Sequence, residues 1–417
     1  MRVVVTVLRI RDAADIELAV RAAIAGEQPL EIIGHGSKRS IGHAMTTNAV
    51  LDVSALNVVT CYEPNELIIT VQAGAPLDEV LSLLDSRNQE FAFEPMDTAV
   101  LLGVGSGRGT IGGMIGAGLA GPRRIRAGGV RDHLLGAHAV SGFGDGFKAG
   151  GRVVKNVTGY DLCKLLAGSW GTLAIMTEVT LKVMPKAEAE RTLVLRGLDD
   201  VTANRAMTAA MGSSYDVSGA AHLPHSALKA APGALAGLAS TGQAATLLRL
   251  EGIAASVVHR GAALAANLAS FGAGELVEDA ESAALWRAVR DVAPFAADGP
   301  LGAWPVWRIV CPPASGGVFG QALARETGGE VIYDWVGGLL WAALPSSVDA
   351  HAALLRRRLA PLGGHATLLR ADEETRRAVD VFHPLAKGVA ALSERVRQSF
   401  DPQSILNRGR LARTPIS

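Results

Sequence analysis

Residues 103–151 read GVGSGRGTIGGMIGAGLAGPRRIRAGGVRDHLLGAHAVSGFGDGFKAGG, and 17 of these 49 positions are glycine. The other 368 residues hold 31 glycines, so the excess is local and is not a low-complexity composition. Glycine has no Cβ, so a dense run of it between apolar segments is backbone built to approach something closely. From Thr98 to Arg131 the chain carries five arginines (Arg108, Arg123, Arg124, Arg126, Arg131) and no acidic residue. A polyanionic ligand is therefore expected along this strip. Gly107-Arg108-Gly109-Thr110-Ile111-Gly112 also matches G-x-G-x-x-G, with Asp132 downstream. A dinucleotide turn of that kind opens the first βαβ unit of its domain. This one follows about a hundred residues of other strand and helix signals, so it is read as a chance match in a glycine-rich run.

Working outward, Val3–Leu8 reads as a strand and Ala13–Ala25 as a helix capped by Asp12. Leu30–Ile33 is a short strand leading into Gly34-His35-Gly36-Ser37-Lys38. Successive N–H groups, a hydroxyl and a lysine charge make that loop an anion cradle suited to a pyrophosphate, although an ordinary tight turn fits it too. Leu67–Val71 is a strand, and a helix begins at Pro76 with Leu77, Val80, Leu81 and Leu84 on one face. Beyond the glycine run lie a strand at Arg152–Lys155, a helix at Asp161–Leu166 and strands Leu173–Met176 and Val179–Val183. Glycine returns to background near residue 186, where a domain boundary is placed: 1–186 as an α/β unit and 187–417 as α+β. In the second unit, strands at Leu193–Leu195, Thr246–Leu250, Val306–Val310, Leu339–Leu344 and Ala366–Leu369 alternate with helices at Val257–Leu268, Ala284–Val292, Val348–Leu359 and Pro384–Phe400. An Ala/Gly/Ser-rich piece at 227–245 reads as a loose helix or loop, and no internal repeat is visible.

The totals exclude several classes. Forty basic residues balance forty acidic ones, which argues against nucleic acid or an anionic membrane as the main partner. Cys61, Cys163 and Cys311 are widely spaced and form no disulfide framework, zinc site or iron–sulfur pattern. No run of 18 apolar residues and no signal-peptide core is present, so a soluble cytoplasmic protein is expected. P-loop, G-x-S-x-G and H-E-x-x-H motifs are absent. His222-Leu223-Pro224-His225 reads as a loop pair, because the proline breaks helical ligand spacing, and no metal site is expected.

Three segments together carry a resemblance: the Gly34–Lys38 loop, GTIGGMIGAGLAGPRRIRAGGVRDHLLGA (109–137) and VKNVTGYDLCKLLAGSWGTLAIMTEVTLKVMP (154–185). They resemble the FAD-binding domain of the vanillyl-alcohol-oxidase (PCMH) type, and within it the family of FAD-binding E subunits of glycolate oxidase. GGHATLLRA (363–371), VFHPL (381–385) and FDPQSILNRGRL (400–411) extend the similarity over nearly the whole chain. The resemblance implies an α+β protein, a two-part PCMH-type FAD domain followed by a ferredoxin-like cap, with FAD as cofactor. It implies that Gly34, His35, Gly36, Ser37 and Lys38 form the pyrophosphate loop, and that Gly109, Thr110, Gly112 and Gly113 form a second flavin segment. Lys155, Asn156, Gly159, Tyr160 and Asp161, with Gly171, Thr172 and Ile175, would close over the adenine half, and Asn407 and Gly409 would turn beside the flavin.

Two departures matter. His35 stands one residue before the flavin-linking histidine of related families, where this chain has Gly36, so the FAD is expected to be non-covalent. Arg408 replaces the proline of the C-terminal Asn-Pro-Gly turn. The histidine-rich H-G-D-G-N and E-H-G motifs of D-subunit-like dehydrogenases are missing. Gly364-His365-Ala366 is the nearest approach, read as structural, and the catalytic base is unassigned. The implied function is the FAD-binding subunit of a complex oxidising glycolate or another small 2-hydroxy acid. Its implied partners are a flavin-bearing D subunit and an iron–sulfur F subunit, with membrane association only through the complex. A stand-alone 2-hydroxy acid dehydrogenase and a non-catalytic FAD-holding assembly subunit are the alternatives.

Overall fold

The computed structural model describes residues 6–153 and 159–412. Asp12 caps α1 (Ala13–Ala25), its carboxylate accepting from Asp15 N at 2.9 Å. Ile16, Val20 and Ala23 recur at helical spacing and are buried in one core with a three-stranded parallel sheet. That sheet comprises β1 (Thr6–Arg9), β2 (Leu30–Ile33) and β3 (Ala49–Asp52), with β3 central. β4 (Val59–Glu63) and β5 (Ile68–Gln72) follow, and α2 (Leu77–Asp85) starts directly after Pro76 and buries Leu77, Val80 and Leu84. After β6 (Gln89–Glu90) comes α3 (Ile111–Ala117), the only part of the glycine run to form more than a single helical turn among the described residues. Then come β7 (Leu134–Ser141), β8 (Gly146–Gly150) and β9 (Ala174–Lys182). They complete a five-stranded antiparallel sheet, β4-β5-β9-β7-β8. β10 (Met184–Pro185) pairs with β6.

Two expectations change here. The strands read as Leu173–Met176 and Val179–Val183 are one strand, β9. Thr177, between the two expected strands, is taken up by a bulge opposite His138–Ala139, and Glu178 stays in register with His138. The helix over 161–166 is a single turn, Cys163–Leu166. Lys155, at the end of the strand expected at 152–155, lies outside the described residues; Arg152 and Val153 form a bend.

The remainder holds one eight-stranded antiparallel sheet. Its first half is β11 (Ala189–Arg196), α4 (Asp200–Met211), β12 (Val217–Leu223), β13 (Ala245–Gly252), α5 (Ala254–Asn267) and β14 (Gly274–Glu278), followed by α6 (Asp279–Arg290). Its second half is β15 (Val306–Val310), α7 (Pro313–Thr327), β16 (Glu330–Asp334), β17 (Leu339–Ala343), α8 (Ala352–Leu359) and β18 (His365–Arg370). The strand order β14-β11-β13-β12-β16-β17-β15-β18 is two βαββαβ units placed edge to edge through β12 and β16. A repeat is therefore present in topology although none is visible in sequence. A buried core needs only apolar side chains of suitable volume, so two halves can share a path without sharing residues. His222 lies inside β12, not in a loop; it is buried, with Nδ1 2.9 Å from Thr246 Oγ1. The described residues contain no group of His, Cys, Asp and Glu able to hold a metal ion.

Helices α4, α5, α7 and α8 cover one face of this sheet, around Met207, Val257, Phe319 and Leu355. The opposite face, with Leu247, Ile332, Leu339 and Trp341, packs on Ile41, Met96, Leu101, Ala117 and Leu119 from the N-terminal part. After α9 (Lys387–Phe400) the chain returns to the first sheet. Leu30 N donates to Ile405 O (2.8 Å), and Asn407 N donates to Leu30 O (2.9 Å).

Candidate functional site

β2 delivers the chain into the Gly34–Lys38 loop, where Gly36 takes φ +70°, a left-handed conformation that favours glycine. Among the described residues, the backbone N–H groups of Gly34, His35, Gly36, Ser37 and Lys38 have no acceptor in the protein. Five consecutive free donors form a nest for an anion. Lys38 points its ammonium at Ser37 Oγ (3.5 Å). Burial pushes the lysine below its ordinary pKa, with only the charge of Asp97 acting against that.

The glycine run supplies the facing wall. Thr110 caps α3, its hydroxyl accepting from Gly113 N at 3.2 Å. A Cβ on Gly34 would come 2.6 Å from Thr110 Oγ1, and one on Gly112 would come 2.9 Å from Ala73 O. These glycines let three backbone segments touch where side chains would hold them apart.

The third wall is the turn Trp170–Gly171, both at positive φ, followed by β9. Asn407 ties it to the loop: Nδ2 donates to Trp170 O (2.7 Å), and Oδ1 accepts from Ile32 N (2.9 Å). Arg410 is buried under the same corner, donating to Ile41 O (2.8 Å) and lying 3.3 Å from Glu31 Oε1. Burial lowers its pKa to about 10.

Together these walls enclose a cavity of about 120 Å³. Gly34, His35, Gly36, Ser37, Lys38, Thr110, Gly112, Gly113, Gly171, Ile175 and Asn407 all line it. Gly109, Thr172 and Gly409 lie beside it in sequence but do not line it. Gly109 O accepts from Leu77 N, and Thr172 Oγ1 donates to Ser169 O. Gly159, Tyr160 and Asp161 are not brought there: Tyr160 is 91% exposed, and Asp161 pairs with Lys164 at 3.1 Å on the surface. Lys155 and Asn156 lie outside the described residues. Val53, Ala73, Gly116, Trp170 and Arg410 also line the cavity. Trp170, Gly116 and Arg410 sit inside the segments singled out in the sequence, whereas Val53 and Ala73 carry no signal there.

The expected arginine strip does not form. Arg123 is drawn into a buried network with Glu90 (2.7 Å), Glu94 (3.7 Å), Glu190 (3.9 Å) and Glu251 (2.5 Å), and Arg126 pairs with Asp216. The absence of acids from 98–131 is made good by acids from elsewhere in the chain. Only Arg108 reaches the loop, donating to His35 O at 3.1 Å. G-x-G-x-x-G likewise marks no βα turn, since α3 follows a turn at 106–107 and the isolated bridge residue Thr110, not a strand.

Free N–H donors, one lysine and a glycine wall fit the phosphates and flat rings of a dinucleotide, and the comparisons agree. A family model described as FAD binding domain matches residues 5–150. The fold is shared with 4-ethylphenol oxidase from Gulosibacter chungangensis (TM-score 0.71, 13% identity, covering 98% of this chain and 89% of that one). The chain is thus an FAD-dependent oxidoreductase of the class acting on CH–OH donors. It is 32% identical over 395 residues to glycolate oxidase subunit GlcE of Escherichia coli (strain K12), covering 94% of this chain and 95% of that protein. It belongs to that family. Glycolate oxidase subunit GlcD of Bacillus subtilis (strain 168) is 30% identical over 181 residues, 43% of this chain and 37% of GlcD.

Proposed function

We propose that the chain is the FAD-binding E subunit of a complex that oxidises glycolate or a similar small 2-hydroxy acid to the 2-oxo acid. Its partners in this reading are a flavin-bearing D subunit and an iron–sulfur F subunit. The observation that carries the reading is the row of five unpartnered N–H groups at Gly34–Lys38, facing glycines 112, 113 and 171 across one cavity. The loop would hold the pyrophosphate through these donors and Lys38, and the glycine wall would lie against the dinucleotide. Asn407 acts through Trp170 and Ile32, holding the two sides at a fixed separation. The bound FAD supplies the two-electron acceptor, and the protein supplies position, electrostatics and exclusion of water. We place the functional division at 1–186 and 187–417, the second part covering the first as a cap. No helix among the described residues is long and apolar enough to cross a membrane, which is compatible with a cytoplasmic subunit meeting a membrane only through its partners.

The test is reconstitution. The purified chain is expected to carry FAD that is released by acid or denaturant, showing no covalent bond. Full glycolate oxidation is expected only after D and F chains are added. Robust turnover by this chain alone would overturn the subunit reading, and a flavin-free chain that still supports the complex would overturn the FAD-holding role.

A further inference from the structure

Away from the cavity, the sheet face turned toward the N-terminal part carries a second cluster of positive charge. Arg308 on β15 stands opposite Trp341 of β17 and Thr367 of β18, and Val310 stands opposite His365. In antiparallel strands, opposed residues and those two positions along share a face. Arg308 and His365 therefore lie on the face where Trp341 and Leu339 meet Ile41, Met96 and Leu101. Arg308 Cζ lies 5.1 Å from the centre of the Trp335 ring, and Arg124 Cζ, from the glycine run, lies 4.5 Å from the same centre. Trp335 is fixed in turn by its indole N–H, which donates to Gly121 O at 3.0 Å.

Neither guanidinium has a hydrogen bond or ion pair among the described residues. That sets them apart from Arg123, Arg249 and Arg370, each of which donates to carboxylates or carbonyls. Burial, then the neighbouring Arg124, lowers Arg308 to about 10, with Asp334 acting the other way. The acid acting on it is Asp334, which accepts from Trp335 N at 2.7 Å and which burial raises to about 7. His365 and His383 are both lowered, first by burial, then by Arg308 for His365 and by Arg356 for His383. They add hydrogen-bonding nitrogens to this wall without adding charge near neutrality. One contact links this face to the cavity: Trp170, a cavity wall, meets Phe382 edge-on at 5.8 Å, and Phe382 immediately precedes His383 in the chain.

We propose that Arg308 and Arg124 form a binding site for the carboxylate of a small organic acid, with Trp335 as its floor and the two histidines at its edge. Two arginines with no carboxylate in hydrogen-bonding contact, one on the sheet face and one on the helical turn Arg124–Ala127 against the same ring, offer the planar donor fork that a carboxylate accepts from both oxygens. This deepens the proposed function and rests on it: the chain itself would hold the carboxylate end of the 2-hydroxy acid, or of its product, beside the cofactor cavity.

The experiment titrates the FAD-loaded protein with oxalate, a carboxylate with no C–H bond to oxidise, at constant ionic strength. Heat and tryptophan fluorescence are the readouts, and flavin content is measured on the same sample. Saturable binding is expected, weakened about ten- to a hundredfold in Arg308→Met, the loss of a charge-assisted contact. Arg308→Lys should recover part of it, Arg124→Ala should lose less, and exposed Arg325→Ala should lose none. Inorganic phosphate should compete more weakly than oxalate. Wild-type affinity in both Arg308→Met and Arg124→Ala would overturn the site, as would the absence of oxalate binding to the wild type. Equal affinity for phosphate would overturn the assignment to carboxylate. If Arg308→Met does not fold by thermal melting, unchanged affinity in Arg308→Lys and Arg124→Ala would overturn the site equally. Oxalate binding by protein that holds no FAD would support this site while sinking the proposed cofactor role, so the two fail separately.

Discussion

Two regions of the molecule handle positive charge in opposite ways. In the network joining the two parts, Arg249 is buried and grips Glu94 with both terminal nitrogens (2.8 and 2.9 Å), while Arg123 meets four glutamates. Burial opposes ionisation there, yet Arg249 and Arg123 hold the Glu94 carboxyl down at about 2. In the cavity, Lys38 and five backbone donors face each other with no carboxylate in hydrogen-bonding contact. Both regions look basic in the local sequence. The difference is whether the fold brings acids to the cations, and only the region left without them is ready for an anionic ligand.

The sharpest way to break this contrast is to remove an acid from the closed network. Glu94→Ala takes both terminal-nitrogen acceptors from buried Arg249, leaving it Glu251 at 3.3 Å, and should cost about 3–5 kcal/mol, read as a fall in denaturation midpoint. FAD should stay with whatever fraction remains folded; selective FAD loss from a stable variant would show that the two regions are not separate. Next, Gly36→Val forces a β-branched residue to φ +70° and sets its Cβ 3.3 Å from Arg39 Cδ. The strain of about 1–3 kcal/mol should fall on the loop, so flavin absorbance should vanish while circular dichroism barely changes. Stoichiometric FAD in that variant would remove the loop from the site. Asn407→Ala deletes the bonds to Ile32 N and Trp170 O and should cost about 1–2 kcal/mol, with FAD dissociating faster than from the parent protein.

The smallest effect is a pH slope. Burial raises Glu190 to about 7, with Arg249 opposing, and raises Asp334 to about 7. Both bind protons more tightly when folded than when unfolded, so the stability they contribute is present below about 4 and is lost as pH rises through about 7. Melting temperature should therefore decline gently across that window, and Glu190→Gln should flatten part of the decline. An unchanged slope would mean that Glu190 is ionised in the folded protein.

Much of the fold and cavity is legible along the chain. α1 and β2 end where capping, turn and periodicity signals put them, because those signals are local. β3, β4, β7 and β8 in the first part and β12, β14 and β16, with helices α4 and α7, in the second escape notice: Val217–Leu223 contains a buried histidine and a glycine, and the first turns of α7 hold two glycines packed on Gly337 and on residues of α4. Such residues belong to their elements because of what packs on them, which periodicity cannot register. The cavity loop, the glycine wall and Asn407 are readable from residue type and order. Trp170 is in view only as part of a motif, and Ala73 and Val53 not at all.

The chain's order of residues was enough to specify glycine backbone for close approach, a loop of donors after a strand, and membership of a flavin-binding class. Each depends on chemistry that neighbouring residues carry with them wherever the chain goes. Which arginines remain free was settled in three dimensions. Glu251 and Glu190 reach Arg123 from 128 and 67 positions away, whereas Arg308 and Arg124 meet the Trp335 ring and no carboxylate within ion-pair distance among the described residues. A charge's availability is a sum over every group within a few ångströms, and folding alone chooses those groups.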